Sequence, residues 1–194
     1  MTKVTIIGAT GSLGRAATEI LLNETDAELT LFSRSADRLA QNPRITKIAA
    51  DINDMQALTR AILGADVVFV ALSGDLPHMA AEIISAMNEV GAKRLIFITS
   101  YGIYGELPGQ NGEVAEIILP YREAADKIEA SNLDYTILRP GWFDNSPDRS
   151  YQLIPKGEII YANNISRLAI ADFVKKVVLE PEKYIKQNLG MVRD

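Results

Sequence analysis

The chain of 194 residues is long enough for one generous α/β domain, and its 47% apolar and 23% charged residues exclude intrinsic disorder. A net charge of −5 without a basic run argues against a nucleic-acid partner. The absence of cysteine and the single histidine, His78, exclude disulfides, thiolate chemistry and a histidine-based metal site. The chain starts on a strand-like run rather than a signal peptide, and no apolar stretch could cross a membrane, so we expect a cytoplasmic protein.

Short apolar runs rich in β-branched residues alternate with longer amphipathic stretches along the chain. The runs predict strands at Val4–Ile7, Leu29–Ser33, Ile45–Ala50, Val67–Leu72, Leu95–Thr99 and Tyr135–Leu138. The stretches predict helices at Leu13–Leu22, Met55–Leu63, Met79–Val90, Val114–Ala130 and Leu168–Leu179. Runs that are apolar throughout are typical of a parallel sheet covered by helices on both faces. The pattern therefore predicts a single, doubly wound α/β domain over residues 1–194.

Two irregular segments, Gly102–Gly112 and Gly141–Gly157, follow the fifth and sixth predicted strands. Their content of glycine, proline and other turn-forming residues argues against regular elements. Both leave the carboxyl edge of the sheet, where open α/β sheets bind their ligands. We expect these loops to form a small cap on the substrate side.

The first strand leads into a helix through a glycine-rich turn, residues Gly8–Gly14. Gly8 permits the tight turn, Gly11 leaves the backbone open to a diphosphate, and Gly14 lets the helix approach the strand. The N-terminus of a helix also offers free N–H groups and a positive dipole end to phosphate. A tight turn without a ligand is the alternative, but the position inside a βαβ unit favours dinucleotide binding. Further donors to the phosphates are expected from Thr10, Ser12 and Leu13.

The spacing GxxGxxG of this turn differs from the GxGxxG of ordinary dinucleotide-binding folds. With Ile6 and Ile7 before it, the turn resembles the TGATGxxG opening of extended and atypical members of the short-chain dehydrogenase/reductase superfamily. The resemblance implies a Rossmann fold and a nicotinamide cofactor. It extends from Val4 to about Val178, and the short length is most similar to the atypical NAD(P)-binding, NmrA-like group, which includes flavin reductases of the biliverdin reductase B type. That group holds working reductases and also regulators that bind the cofactor without turnover.

The end of the second predicted strand distinguishes NADP from NAD. NAD-binding folds place a carboxylate there, whereas this chain has Ser33, Arg34 and Ser35, with Arg38 a little further on. A guanidinium can bind a 2′-phosphate through paired hydrogen bonds, and serine hydroxyls add donors. The arrangement favours NADP; the alternative is that both arginines are solvated loop charges.

The ends of the third and fourth strands offer further cofactor contacts. In the family that the chain resembles, an aspartate at the position of Asp51 binds the adenine amino group, and Ile52 would pack against the ring. The alternative for Asp51 is the N-cap of the next helix. The small-residue exit of the fourth strand would let the ribose and nicotinamide approach the backbone at Ala71, Leu72 and Ser73.

Two segments resemble those that carry the family's chemistry. Thr99–Gly105 resembles its S-S-x-x-x-Y-G segment, in which the serine aligned with Ser100 binds the substrate oxygen. Leu119–Ala125 resembles its P-Y-x-x-x-K segment, which makes Tyr121 the proton donor, but Ala125 replaces the lysine. A phenol has an ordinary pKa of about 10 and forms little phenolate without that cation, yet a neutral tyrosine can still donate to a developing alkoxide. The alternative is that Tyr121 only packs against the loop.

The segment after the sixth strand, Leu138–Phe143, resembles the family's R-P-G segment, whose backbone flanks the nicotinamide. Trp142 and Phe143 would then form apolar walls of a pocket; the alternative for both is packing in the core or the cap. Downstream, Ile165–Arg167 resembles part of the family's V-S-R-x-D-V-A helix, which we interpret as structural. The candidate contacts of the nicotinamide half are Thr99, Pro140, Gly141 and Trp142.

These features predict an NADPH-dependent oxidoreductase that passes hydride to a small flat acceptor: a quinone, a flavin or a carbonyl compound. Such transfer can proceed largely by placing the acceptor over the nicotinamide, so the missing lysine is tolerable. A non-catalytic NADP-binding redox sensor fits the missing lysine equally well. A sugar-nucleotide epimerase is disfavoured because little chain remains to enclose a nucleotide sugar.

Overall fold

An eight-stranded sheet forms the centre of the structure, a computed structural model that describes residues 1–194. The strands are β1 (Lys3–Ile7), β2 (Glu28–Ser33), β3 (Ile45–Ala49), β4 (Val67–Val70), β5 (Arg94–Ile98), β6 (Asp134–Pro140), β7 (Trp142–Asp144), β8 (Gln152–Pro155), β9 (Asn164–Ser166) and β10 (Gln187–Val192). The helices are α1 (Ser12–Glu24), α2 (Met55–Ile62), α3 (Leu76–Val90), α4 (Leu119–Glu129) and α5 (Arg167–Leu179). None of the five helices combines the length and apolarity needed to cross a bilayer.

The strand order across the sheet is β3-β2-β1-β4-β5-β6-β10-β8, and all neighbours are parallel except β10 and β8. The chain therefore runs outward from β1 in one direction and then, from β4, in the other. In such a sheet the crevice at the carboxyl ends beside the reversal point is the usual ligand site. The predicted doubly wound α/β fold is confirmed.

Two apolar clusters cover the faces of the sheet, because successive strand residues point to opposite sides. Ile6 belongs to the cluster beneath α1 and α5, whereas its neighbour Ile7 belongs to the cluster beneath α2, α3 and α4. The central strand β4 is divided in the same way and is completely buried. This double cover explains why the strand runs in the sequence are apolar throughout.

The structure corrects the predicted helix Val114–Ala130. A short 3₁₀ turn, Glu116–Ile118, precedes α4, which begins only at Leu119. Pro120 lies in the first turn of α4, where its missing N–H costs nothing, whereas inside a longer helix it would break the hydrogen-bond pattern. The prediction that Gly141–Gly157 is irregular throughout is also wrong in part, because β7 and β8 lie within it.

Candidate functional site

Two neighbouring cavities open at the carboxyl edge of the sheet. The first, which we call the β1–β4 cavity, has a volume of about 460 Å³ and lies beside the point where the strand order reverses. The second, the β5–β6 cavity, has a volume of about 470 Å³ and is bounded by the loops that follow β5 and β6. Predicted site residues that line the first are Gly8, Thr10, Gly11, Ser33, Arg34, Asp51, Ile52, Ala71, Leu72 and Ser73. Those that line the second are Thr99, Ser100, Tyr121, Pro140, Gly141 and Trp142.

The three glycines of the first turn meet different demands. Gly8 has φ +90°, and a Cβ there would lie 2.1 Å from the carbonyl oxygen of Ala71. A Cβ on Gly14 would lie 2.3 Å from the carbonyl oxygen of Gly8, so both positions are glycine because the fold requires it. Gly11 has φ −73° and only one protein neighbour for a Cβ, the oxygen of Gly8 at 3.3 Å. The fold does not require glycine there, and the missing side chain keeps space open in the cavity lining.

The N-terminus of α1 has free hydrogen-bond donors. Gly11 is its N-cap and has no side chain, so it provides no side-chain hydrogen bond to the helix. The backbone N–H groups of Ser12, Leu13 and Gly14 have no acceptor within the protein, and the first turn contains no acidic residue. Free N–H groups and the positive end of the helix dipole suit a diphosphate. The residues present therefore fit the phosphates of a dinucleotide.

The last residue of β2, Ser33, lies in the lining of the β1–β4 cavity. Its hydroxyl oxygen is buried and has no hydrogen-bond partner in the protein. Arg34 is exposed at the same cavity. Arg38 does not line it, because the chain turns away through the 3₁₀ turn Ala36–Arg38. Of the two arginines in the predicted 2′-phosphate site, the structure thus brings only Arg34 to the cavity.

Asp51 presents a carboxylate to the same cavity. Its Oδ1 accepts hydrogen bonds from the backbone N–H of Asn53 at 3.0 Å and from Asn53 Nδ2 at 2.6 Å. These bonds, with a smaller contribution from the charge of Arg34, hold the pKa of Asp51 below its ordinary value. The N-cap of α2 is Asp54, which accepts from the N–H of Ala57 at 3.0 Å. The N-cap alternative for Asp51 is therefore wrong.

The β5–β6 cavity is mostly apolar and has a few hydroxyl groups. Thr99 uses its hydroxyl within the sheet, donating to the carbonyl of Leu138 at 2.9 Å. Ser100 Oγ donates to the carbonyl of Tyr101 at 3.1 Å. Burial raises the pKa of the Tyr101 hydroxyl, which keeps this group a neutral donor. Trp142 is 70% exposed at the edge of the cavity and offers a flat apolar surface to a ligand.

The sequence analysis missed several residues of this cavity. Tyr101, Leu107, Gln110 and Ile117 line it, together with the predicted residues. The signal available in the sequence was their position in or next to a loop that follows the fifth strand. Which loop residues face inward depends on tertiary contacts.

Those contacts centre on Arg139, which is completely buried in β6. Arg139 Nη1 donates to Glu106 Oε1 at 2.6 Å, and Nε donates to Asn188 Oδ1 at 2.8 Å. The Glu106 carboxylate also accepts from the backbone N–H groups of Gly102 at 3.0 Å and Tyr104 at 2.7 Å. The ion pair therefore fixes the Gly102–Gly112 loop against the sheet. It is a positioning element for the wall of the β5–β6 cavity.

In the family that the chain resembles, a lysine follows the tyrosine by four residues. The corresponding position in this chain is buried. Ala125 is completely buried in the apolar cluster beneath α2, α3 and α4, and it does not line the β5–β6 cavity. Lys127 is exposed elsewhere on the helix. The structure thus brings Ser100 and Tyr121 to one cavity without a lysine in its lining.

A glycine-rich turn, an uncapped helix N-terminus and a cavity at the reversal point of a parallel sheet together define a dinucleotide-binding protein of Rossmann type. A model of the NAD(P)H-binding family matches residues 8–181, and the chain belongs to this family. This match confirms the resemblance that the glycine-rich turn indicated and the prediction of a nicotinamide cofactor.

Individual proteins show the same relationship. A Rossmann-fold NAD(P)-binding family protein from Shigella flexneri is 34% identical, with a TM-score of 0.88 over 100% of this chain and 94% of that one. A short-chain dehydrogenase/reductase from Veillonella parvula DSM 2008, solved in complex with NADP, is 26% identical, with a TM-score of 0.91 over 99% and 94% of the two chains. YhfK of Bacillus subtilis, described as an uncharacterized sugar epimerase, is 32% identical over 75% of this chain and 74% of its own length.

Proposed function

We propose that the chain is an NADPH-dependent reductase that transfers hydride to a small flat acceptor, such as a quinone, a flavin or a carbonyl compound. The observation that carries this proposal is the apolar β5–β6 cavity with Trp142 at its edge, next to a cavity that fits a dinucleotide. The two cavities follow the adjacent strands β4 and β5, and this supports assigning the adenine half of the cofactor to the first and the nicotinamide to the second. In this proposal the flat acceptor lies between the nicotinamide and the indole of Trp142.

The β1–β4 cavity supports NADP rather than NAD. No acidic residue lies at the end of β2, where a carboxylate would bind both ribose hydroxyls of NAD. Arg34 and the unpartnered hydroxyl of Ser33 instead offer donors to a 2′-phosphate. Asp51 and Ile52 would hold the adenine. The NADP bound to the Veillonella parvula protein is consistent with this choice.

The chain's own residues orient the acceptor and complete the proton transfer. When bound, the nicotinamide supplies the hydride. Trp142 and Phe143 exclude water from one side of the acceptor. Ser100 exchanges its hydrogen bond to the Tyr101 carbonyl for one to the reducible oxygen of the acceptor. Tyr121 then gives a proton to the developing alkoxide or phenolate, as a neutral tyrosine can. With Ala125 in place of a lysine, most of the rate comes from placing the acceptor over the ring.

A non-catalytic NADP-binding redox sensor is the second candidate, and the buried Ala125 favours it to the same degree. A sugar-nucleotide epimerase, which the name of YhfK suggests for that protein, fits less well. Eight of the thirteen residues that line the β5–β6 cavity are hydrophobic, whereas a sugar needs hydrogen-bonding partners.

NADPH oxidation by the purified chain, followed at the nicotinamide absorbance across quinones, flavins and aldehydes, tests the proposal. Turnover of a flat acceptor supports the reductase, and Tyr121→Phe should lower kcat more for a carbonyl acceptor than for a flavin, which needs no alkoxide protonation. Binding of NADPH without turnover of any acceptor would refute the reductase and favour the sensor. A chain that binds neither NADPH nor NADH would refute both.

A further inference from the structure

A third cavity, with a volume of about 840 Å³, lies between α1 and the start of α5 and has no role in the function proposed above. One wall is a stripe of α1 that runs from Ser12 to Glu24. The other wall consists of Asn145, Ser146, Pro147 and Arg149 together with Arg167 and Leu168. We call it the α1–α5 groove. It begins at Ser12, on the first turn of the helix whose N-terminus faces the β1–β4 cavity.

Three arginines and two glutamates, Glu19 and Glu24, line this groove, and two of the arginines have no ion-pair partner. Arg149 pairs with Glu24 at 2.7 Å and with Asp172 at 3.1 Å, so its charge is compensated. Arg15 donates only to the backbone carbonyl of Thr10, at 2.9 Å. Arg167 donates only to the neutral side chain of Asn145, with 3.0 Å between Nη1 and Oδ1. Neither Arg15 nor Arg167 forms a salt bridge.

Arg167 also has a buried donor without an acceptor. Its Nε and the hydroxyl of Ser33 are the two buried side-chain polar atoms of the chain that have no hydrogen-bond partner. Ser33 lines the β1–β4 cavity and Arg167 lines the α1–α5 groove, so both unpartnered atoms belong to residues at cavities. A buried charged donor without a partner is costly, and native folds rarely keep one without a reason.

The guanidinium of Arg167 is nevertheless held in place. Its carbon Cζ lies 5.3 Å from the centroid of the Phe143 ring, and the bond to Asn145 fixes one amino group. Phe143 also lines the β5–β6 cavity. Arg167 is thus a preorganised cation between the proposed acceptor cavity and the first turn of α1.

We propose that Arg167, assisted by Arg15, binds an oxyanion, either a phosphate or a carboxylate. A guanidinium binds both through paired N–H donors, and Nη2 of Arg167, which forms no hydrogen bond within the chain and is not buried, remains available to an oxyanion. Two sources of this group are compatible with the position: the diphosphate of the cofactor, near Ser12, and an acidic substituent on the acceptor, beyond Phe143. Both sources rest on the proposed function, and the proposal gives the segment Ile165–Arg167 a binding role in addition to its structural one.

The test compares Arg167→Gln with Arg60→Gln, which removes one exposed positive charge from α2, outside the groove. Calorimetric titration with NADPH and with inorganic pyrophosphate measures the first source. The second source is measured as the binding of paired quinones that differ by one carboxylate group. Binding is followed through quenching of the fluorescence of Trp142, the only tryptophan of the chain. Because quenching needs no turnover, this arm remains valid if the chain proves to be a sensor.

We expect Arg167→Gln to weaken one of these ligands by about tenfold or more, the loss typical of a charge-assisted hydrogen bond, and Arg60→Gln to weaken none. A higher Kd for NADPH and pyrophosphate identifies the cofactor diphosphate. A higher Kd for the carboxylated quinone alone identifies the acceptor. Arg167→Lys, which keeps the charge without the paired donors, should bind with intermediate affinity and guards against a folding defect in the glutamine variant. Equal affinities in Arg167→Gln and Arg60→Gln for every ligand would overturn the proposal.

Discussion

Separate alanine substitutions of Gly11 and Gly14 distinguish what the fold requires of the glycine-rich turn from what a ligand requires. In Gly14→Ala the new Cβ would lie 2.3 Å from the carbonyl oxygen of Gly8 and 2.8 Å from the Cα of Ala9. Both atoms belong to the backbone of the turn, so α1 must move. Such overpacking costs about 1–3 kcal/mol, while the better helix propensity of alanine returns at most about 1 kcal/mol. We expect a net loss of unfolding free energy and weaker NADPH binding.

Gly11→Ala should behave differently. Its backbone angles suit alanine, and the new Cβ would meet only the oxygen of Gly8, at 3.3 Å. The free energy of unfolding should therefore stay within about 1 kcal/mol of the wild-type value. The same Cβ would occupy the space that we assign to the diphosphate, and we expect the Kd for NADPH to rise at least tenfold, or about 1.4 kcal/mol.

Urea denaturation of each variant gives the unfolding free energy, and calorimetric titration gives the Kd for NADPH. The two variants serve as controls for one another, because each adds the same methyl group three residues apart. Wild-type NADPH affinity in a folded Gly11→Ala protein would refute the assignment of the diphosphate to this turn. Unchanged stability in Gly14→Ala would refute the packing argument.

Three further substitutions test other features of the site and its frame. Arg34→Gln should raise the Kd for NADPH about tenfold and leave that for NADH unchanged, whereas equal losses would contradict the 2′-phosphate contact. Hydrogen bonds from Arg149 and Lys175 lower the pKa of Glu24 from 4.5 to about 2, so this carboxylate stabilises the fold above pH 4.5 and the stabilisation disappears as the pH falls towards 2. In Glu24→Gln, the free energy of unfolding, measured by urea denaturation at a series of pH values, should therefore decrease less between pH 4.5 and 2 than in the wild type. An equal decrease in both proteins would contradict this role of Glu24. Ala125→Lys should lower the melting temperature without raising turnover, because it places a charge in the apolar cluster; a stable and faster variant would refute this.

The fold could be predicted where one pattern dominates a long segment. The six strands β1 to β6 and all five helices follow from apolar runs and helical periodicity, because each is buried on one or both faces. Strand β10 escaped prediction because Asn188 and Gly190 interrupt its apolar pattern, although it lies between β6 and β8. Strands β7 and β9 have three residues each, too few for a periodic signal.

The candidate site, like the fold, could be predicted from the sequence only in part. Residues next to strand ends, such as Gly8, Arg34 and Asp51, reach the β1–β4 cavity because the topology alone brings these ends together. The lining of the β5–β6 cavity depends on the pair between Glu106 and Arg139, which are 33 residues apart in the sequence. A single sequence contains no local signal for such a pairing, so Leu107 and Gln110 could not be selected from their loop.

In the Gly102–Gly112 loop, the residues that hold the backbone in place are not all the residues that line the β5–β6 cavity. The buried Glu106–Arg139 pair holds the backbone. The loop is anchored through backbone N–H groups, which every residue type except proline possesses. Gln110 belongs to the same anchor, because its side chain accepts from the backbone N–H of Leu107 at 2.9 Å and donates to the carbonyl of Gly102 at 3.1 Å. The apolar side chain of Leu107 has no such role and can therefore change without loss of the anchor. A library restricted to Leu107 could redirect acceptor preference while the nucleotide half and the stability of the scaffold stay constant.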